Sequence, residues 1–336
     1  MQLRTLAGTT VTTSALGLGC AGLYRLPRRD HREAVLAAAV AADVRHFDTA
    51  PMYGLGRAEA ELAPLLRSRR DELTVTTKFG IEPSAIGAMI GRVQGPVRSL
   101  LARRSGLQQS VGRSGAGPAS GAVGRLLYSA AGYDAGTAAR SLTRSLRALR
   151  SDYIDIFALH DPMGTAVTNA PELIGYLEDQ VRAGTIRCWG IAGELPPTGS
   201  PGRRLLEGAP LVQQPDDVFE PAESVSPDRA TITFGCLSRA LPALLAHVTA
   251  TPGTRARWSE RLGVDAADPQ AMAGLLLRAA IRRNPSGVVL FSTTRPERVG
   301  AAVESVARPE DPAVASALHA IVQEVALLPE HRERPE

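Results

Sequence analysis

Lysine is nearly missing from this chain. Of 38 basic residues, Lys78 alone is a lysine and every other is an arginine. Where surface charge is carried so uniformly by guanidinium, a surviving lysine points to a site that guanidinium cannot serve. Such a site needs a compact ammonium beside a group that shares its proton. Aromatics are scarce too, at 4%, and the net charge is only +4. Nucleic-acid binding asks for a basic stripe, often with stacking aromatics, so no nucleic-acid partner is expected. Cysteine is limited to Cys20, Cys188 and Cys236, an odd, scattered set without metal-ligand spacing. Each lies in or beside an apolar strand-like run, where buried thiols are common, so no metal is expected and a reducing compartment fits. No apolar run reaches the roughly 20 residues of a membrane span. The opening M-Q-L-R-T-L-A-G lacks the apolar core of a signal peptide. These absences predict a cytoplasmic protein with no membrane partner.

What is present is ample material for a core: 44% hydrophobic and 21% charged residues over 336 positions. The sole lysine falls in an informative place. V-R-H-F-D-T-A-P-M-Y-G holds Asp48 and Tyr53, and T-V-T-T-K-F-G holds Lys78. H-F-D-T-A and L-T-V-T-T-K-F are short, apolar and β-branched, as strands are. Between them R-A-E-A-E-L-A-P-L-L-R-S-R-R mixes helix formers with charge, Pro64 being its one dissonant residue. Strand, helix, strand is the crossover that parallel pairing requires. Asp48 and Lys78 then lie at or near the C-terminal ends of their strands, with Tyr53 on the loop beyond. That end is where parallel α/β proteins carry their chemistry.

The same rhythm runs along most of the chain. Residues 2–13 read as a β-hairpin around Ala7 and Gly8, and A-L-G-L-G-C-A-G-L-Y as a first barrel strand. Its Gly17, Gly19 and Gly22 spell G-x-G-x-x-G. A dinucleotide fingerprint needs a helix opening at the third glycine, whereas Leu23 to Pro27 intervene here before any helical pattern. After an Ala-rich helix from Arg32 and the two strands above, the pattern breaks between 81 and 133. Six arginines and no acidic residue lie between Pro83 and Tyr133. This stretch reads as an insertion after the third strand, with short helices inside it: a lid, an oligomer contact or a loose excursion. Oligomeric state stays open. The alternation then resumes through Y-I-D-I-F-A-L-H, I-R-C-W-G-I-A-G, P-L-V-Q-Q, A-T-I-T-F-G-C-L and G-V-V-L-F-S, with a terminal helix at 312–328. Eight strands with intervening helices predict an α/β fold, a single (β/α)8 TIM barrel domain spanning 1–336 with an N-terminal β-hairpin.

Four residues carry a resemblance. Asp48, Tyr53, Lys78 and His160, the last in A-L-H-D-P, resemble in type, spacing and strand placement the Asp–Tyr–Lys–His tetrad of the aldo-keto reductases. The match extends, with gaps, over most of the chain. It implies an oxidoreductase that uses NADPH, with NADH as the other option, on a small-molecule aldehyde or ketone, or in reverse on an alcohol. The residue types suit that chemistry. A free phenol, with a pKa of about 10, is a poor acid at neutral pH; a neighbouring ammonium lowers that value, and a carboxylate holds the ammonium in place. Tyr53 is then the general acid, Lys78 its tuner and Asp48 the anchor. The resemblance gives His160 the task of orienting the carbonyl.

The resemblance also assigns a dinucleotide site. Gln213 matches the family glutamine that bonds the nicotinamide amide. Phe234, followed by Gly235 and Leu237, falls where the family often stacks an aromatic. Ala192 and Gly193 stand where Ser-Asn is usual, which removes two side-chain bonds to the carboxamide. Ser292, Thr293, Thr294 and Arg298 lie in a segment that resembles the adenosine-phosphate loop, with Thr293 and Arg298 at matching positions, although its frequent lysine is Ser292 and its Glu-Asn pair is Ala301 and Ala302. Hydroxyls before a helix start suit a phosphate, and no acidic residue falls within 291–296. Two other readings stay open. One is an NAD-dependent sugar (aldose) dehydrogenase on the same site, which H-D-P and G-I-A-G favour. The other is a non-catalytic dinucleotide-binding module, which the missing carboxamide contacts favour.

Overall fold

Short β-branched runs and the helices between them close into a barrel. The computed structural model describes residues 1–84, 86, 87, 89, 126–162, 167, 169–194, 205, 207–309 and 311–327. β1 (Leu3–Thr5) and β2 (Thr12–Ser14) form the expected antiparallel hairpin. Then follow β3 (Leu16–Gly19), α1 (Arg29–Ala41), β4 (His46–Asp48), α2 (Ala58–Arg69) and β5 (Thr74–Phe79). Pro64 sits inside α2 without ending it. β6 (Ile81–Pro83) pairs antiparallel with β7 (Tyr128–Ala130), so the predicted insertion leaves and re-enters the barrel as a two-stranded ribbon. The lid expected within it lies outside the described residues.

The barrel continues with α3 (Ala135–Leu149), β8 (Ile154–His160), α4 (Ala170–Arg182), β9 (Ile186–Ala192), β10 (Leu211–Pro215) and β11 (Ala230–Phe234). Three helices, α5 (Ala240–Ala250), α6 (Thr254–Leu262) and α7 (Pro269–Arg283), precede β12 (Val288–Phe291). α8 (Glu297–Ala307) and α9 (Pro312–Ala326) follow it. Eight strands, β3, β4, β5 and β8 to β12, pair in parallel in chain order, and β12 returns to β3 with Leu290 opposite Gly17. The G-x-G-x-x-G is therefore a barrel strand and its exit. A Cβ at Gly17 would lie 2.7 Å from Leu290 and 2.8 Å from His46, so that glycine makes room inside the barrel.

Strand periodicity decides what the barrel encloses. All six residues of β5 are buried, but alternate ones face opposite ways. Val75 and Phe79 join the outer core with Phe47, Phe157 and the apolar faces of α1 and α2. Thr74, Thr76 and Lys78 face inward, stacked along one strand beneath the mouth. Leu6 and Val11, from the hairpin loop, plug the far end against Ile156, Cys188, Leu211 and Ile232. Among the described residues no helix is long and apolar enough to cross a membrane, and Cys20, Cys188 and Cys236 are free and buried.

His46 occupies the layer below the site. Its ring nitrogens lie 3.1 Å from Thr74 Oγ1 and 3.2 Å from Thr76 Oγ1. Burial, with a smaller push from the Lys78 charge, lowers its pKa to about 3. The unfolded chain therefore takes up this proton first as pH falls, and the stability that neutral His46 contributes above the unfolded value is lost on the way down to pH 3. The expected slope is about 1.4 kcal/mol per pH unit below an unfolded pKa of about 6.5. Urea unfolding at pH 6.5 and 4.5 checks this: His46→Gln should flatten the acid limb, and equal slopes in both proteins would refute a neutral buried imidazole.

Candidate active site

The inward face of β5 ends at Lys78, and the neighbouring strand β4 ends at Asp48. Their register brings ammonium and carboxylate together: Lys78 Nζ donates to Asp48 Oδ1 and Oδ2, both at 2.8 Å, and to the Thr49 carbonyl at 3.0 Å. Lys78 is 1% exposed and Asp48 3%, so the pair is shut from water. Burial pulls the ammonium's pKa down, but Asp48 and then Tyr53 hold it above the usual lysine value. Lys78 Nζ is 5.2 Å from the centre of the Tyr53 ring. Tyr53 meets His160, at the end of β8, edge to face, with ring centroids 5.9 Å apart at 87°. The four residues predicted from the sequence are thus one cluster, drawn from three strand ends and a loop.

Two electrostatic findings refine the expected roles. Lys78 does lower the Tyr53 pKa, but burial raises it more, and the phenol is pushed up to about 12. The ammonium offsets desolvation without overcoming it, and the phenol keeps its proton at neutral pH. His160 is held well below the usual histidine value, first by burial and then by the Lys78 charge. It is a neutral hydrogen-bonding group here. Its Nδ1 is buried with no partner among the described residues.

The loop carrying Tyr53 is anchored from behind. Tyr53–Leu55 form a 3-10 turn in which Gly54 has φ +60. A Cβ at Gly54 would fall 2.3 Å from the Tyr24 ring, so glycine is required both by conformation and by contact. Tyr24 donates to Glu61 Oε2 at 3.1 Å, and Arg32 grips Glu61 through two bonds of 2.7 and 2.8 Å. That knot joins the loop after β3 to α1 and α2.

Sequence reasoning missed two residues. Tyr133 donates its hydroxyl to the His160 carbonyl and lies 3.1 Å from the Asp161 carbonyl. Its ring fills the space beside Gly80, where a Cβ would come within 2.0 Å. Asp161 has φ +47, and its Oδ2 stands 3.9 Å from His160 Nε2. The H-D-P motif was the available signal for Asp161. Tyr133 had none, since its contact with Gly80 spans the whole insertion.

The predicted dinucleotide residues line the same end of the barrel. Gln213 on β10 is 3% exposed, and its Oε1 is buried without a partner among the described residues. That orphaned acceptor fits an amide donor from a bound nicotinamide. Ala192 closes β9, and Gly193 follows with φ +135, donating its N–H to the Gln213 carbonyl at 2.9 Å. Phe234 ends β11, half-buried, with Gly235 at φ +92, and Leu237 bridges the barrel core and the cluster of α5, α6, α7 and α9. Ser292 Oγ is committed to the Gly19 carbonyl at 2.9 Å, and Thr293 Oγ1 accepts from Arg295 N–H at 3.1 Å. Thr294 is half-buried, while Arg298 is exposed in the first turn of α8. No contact among the described residues joins Arg298 to the four clustered side chains. No group of His, Cys, Asp and Glu among the described residues is placed to hold a metal ion.

Known proteins resemble this chain in sequence and in fold. The sequence model of the Aldo/keto reductase family matches residues 15–195. Over 82 residues the chain is 42% identical to pyridoxal 4-dehydrogenase of Microbacterium luteolum, covering 24% of each protein. Over 78 residues it is 44% identical to D-threo-aldose 1-dehydrogenase of a Pseudomonas species, covering 22% of this chain and 24% of that one. The aligned stretches thus span about a quarter of each of these two relatives. The solved structure of a glycerol dehydrogenase from Gluconobacter oxydans superposes with a TM-score of 0.67 at 17% identity, covering 99% of this chain and 97% of that one. At that identity it speaks for the fold.

Proposed function

The chain belongs to the aldo/keto reductase family, and we propose that it is an NADPH-dependent oxidoreductase that converts an aldehyde or ketone to the alcohol, with Tyr53 as general acid. The observation that carries this reading is the sole lysine, sealed against both oxygens of Asp48 and set beside Tyr53 and His160. A bound nicotinamide supplies the hydride in reduction and accepts it in oxidation. The protein's part is the proton and the orientation. Tyr53, still protonated at neutral pH, gives its proton to the carbonyl oxygen as charge develops there. The phenolate left behind is held by the Lys78 ammonium, which Asp48 keeps charged and in place. His160, neutral, offers a ring N–H to the same oxygen. Gln213, Phe234, Ala192 and Gly193 would border the nicotinamide, and residues 292–298 the adenosine phosphate. Reduction of simple aldehydes followed at 340 nm tests the reading; absence of turnover with every carbonyl and both cofactors would leave the non-catalytic alternative.

The stretches shared with pyridoxal 4-dehydrogenase and D-threo-aldose 1-dehydrogenase favour a second reading, oxidation at the same site, with NAD as the cofactor expected for it from the sequence. Arg298 separates the two. A guanidinium pairs with a 2′-phosphate through two parallel charge-assisted bonds, worth roughly 1.5–3 kcal/mol. Arg298→Ala should weaken NADPH binding by about one to two decades, measured by cofactor fluorescence, and leave NADH nearly unchanged. Equal losses for both cofactors would move the preference to NAD.

A further inference from the structure

Thr77 stands beside Lys78 on β5 and faces the other way, out of the barrel between the apolar Val75 and Phe79. It is fully buried, and a buried hydroxyl without a partner is costly. Its partner is Glu59 in the first turn of α2: Thr77 Oγ1 donates to Glu59 Oε1 at 2.7 Å. Glu59 is itself 5% exposed. A carboxylate shut from water is ordinarily paired with a cation, yet among the described residues no arginine or lysine makes an ion pair with it. Arg144, whose charge reaches it, is committed to Glu82 on β6. Ser145 of α3 stands next to it, its hydroxyl buried and unpartnered among the described residues. Burial accordingly raises the Glu59 pKa, and the Thr77 hydroxyl opposes that shift.

What lies on either side of this bond gives it its importance. The segment that carries Tyr53 runs through the 3-10 turn and reaches Glu59 in the first turn of α2. Thr77 is the direct chain neighbour of Lys78. The bond therefore ties the loop bearing the phenol to the strand bearing the ammonium, from the outer wall of the barrel. Among the described residues it is the hydrogen bond that joins α2 to β5. Lys78 Nζ lies 5.2 Å from the centre of the Tyr53 ring. A misplacement of about 1 Å between groups that must act together costs about 10²-fold in rate, so a tether in the wall controls a spacing on which the proton transfer depends.

We propose that Glu59 is a positioning residue for the proton donor, acting through Thr77 to fix the spacing between Tyr53 and Lys78. It works from outside the barrel, apart from the reacting atoms. The inference rests on the oxidoreductase reading above and extends its machinery to the outer wall.

The test uses Thr77→Val and Glu59→Ala, which remove the bond from either end, and Glu59→Gln, which keeps an acceptor for Thr77. Reduction of a simple aldehyde with NADPH gives kcat and KM, fluorescence gives NADPH affinity, and urea unfolding gives stability. Because Lys78 is the chain's one lysine, 15N-lysine labelling yields a single ammonium signal by NMR. The exchange of its protons with water reports on Lys78 without turnover. Thr77→Val and Glu59→Ala should lower kcat by about 10–100-fold and speed that exchange by about tenfold or more. KM and NADPH affinity should stay within about threefold, and Glu59→Gln should restore kcat and slow exchange to within about threefold of wild type. Should Glu59→Ala fail to fold, Thr77→Val, close to isosteric, carries the test. Stability lost with kcat and exchange unchanged would make the bond a brace of the fold alone. Glu59→Gln as damaging as Glu59→Ala would make the charge the essential feature, and lost NADPH affinity would put Glu59 in the cofactor site; each overturns the proposal. Should wild type reduce no aldehyde, the oxidoreductase reading fails and the ammonium exchange decides alone. Faster exchange in Thr77→Val and Glu59→Ala, restored in Glu59→Gln, supports the tether, and equal exchange in all four proteins overturns it.

Discussion

Tyr53→Phe is expected to lower kcat for carbonyl reduction by about 10²–10⁴-fold, the range for loss of a positioned proton donor. Dinucleotide affinity should hardly change, because the phenol acts on the proton and not on the cofactor. The ring itself stays, so its edge-to-face contact with His160 and the turn built on Gly54 are kept. The direction of the Tyr53 shift adds a pH signature. With the folded pKa raised to about 12, the phenol is protonated throughout the neutral range, so reduction needs no titration and its kcat/KM should be flat from about pH 6 to 9. Oxidation of an alcohol needs the phenolate, whose fraction grows tenfold per unit below the pKa. Its kcat/KM should therefore climb with pH over the same window. Steady-state assays in both directions decide the matter: a reductive rate falling steeply above pH 7, or a Phe variant within tenfold of wild type, would remove Tyr53 from the proton transfer.

The eight barrel strands and the clustered residues on them were legible because each is a local pattern with a fixed consequence. H-F-D and T-V-T-T-K-F alternate with period two, so the inward set of β5 follows from the outward set, and Lys78 had to join Thr74 and Thr76 inside. Register with β4 then brought Asp48 to it. Contacts that cross the chain without a pattern were not legible. Tyr133 was absorbed into the predicted insertion 81–133 as its last residue, although its ring lies against Gly80 and its hydroxyl holds the end of β8. The exchange at Gly193 was visible only as a loss of the usual side chains. The carboxylate that fills the space, that of Asp161, comes from a different strand exit, and no spacing in one sequence reveals that. The balance at Tyr53 was misjudged for a similar reason: the ammonium's influence could be named from residue types, but the burial that outweighs it is a property of the assembled barrel.

Lys78→Met should destabilise the fold by about 3–5 kcal/mol, because it leaves the Asp48 carboxylate buried and unpaired. The cost comes from the abandoned partner, so adding Asp48→Asn to Lys78→Met should recover a large part of it, a non-additivity that chemical denaturation of the two single variants and the double variant measures directly. Simple additivity would mean that the two groups do not pair in solution. Alkaline titration gives a second reading. The folded Lys78 pKa is raised above its usual value, so the stability it contributes is fully present below about pH 10.5 and is lost as pH rises through the higher folded value. Wild type should therefore weaken on that limb and the double variant should not. Lys78→Arg keeps the charge but not the shape. Three acceptors, two from Asp48 and one from Thr49, surround a single ammonium at 2.8 to 3.0 Å, and a planar guanidinium with five donors cannot occupy that point. Turnover in Lys78→Arg should fall nearly as far as in Tyr53→Phe, by about 10²-fold or more, even where the variant folds. An arginine enzyme that kept most of the wild-type rate would break the link between the chain's one lysine and its chemistry.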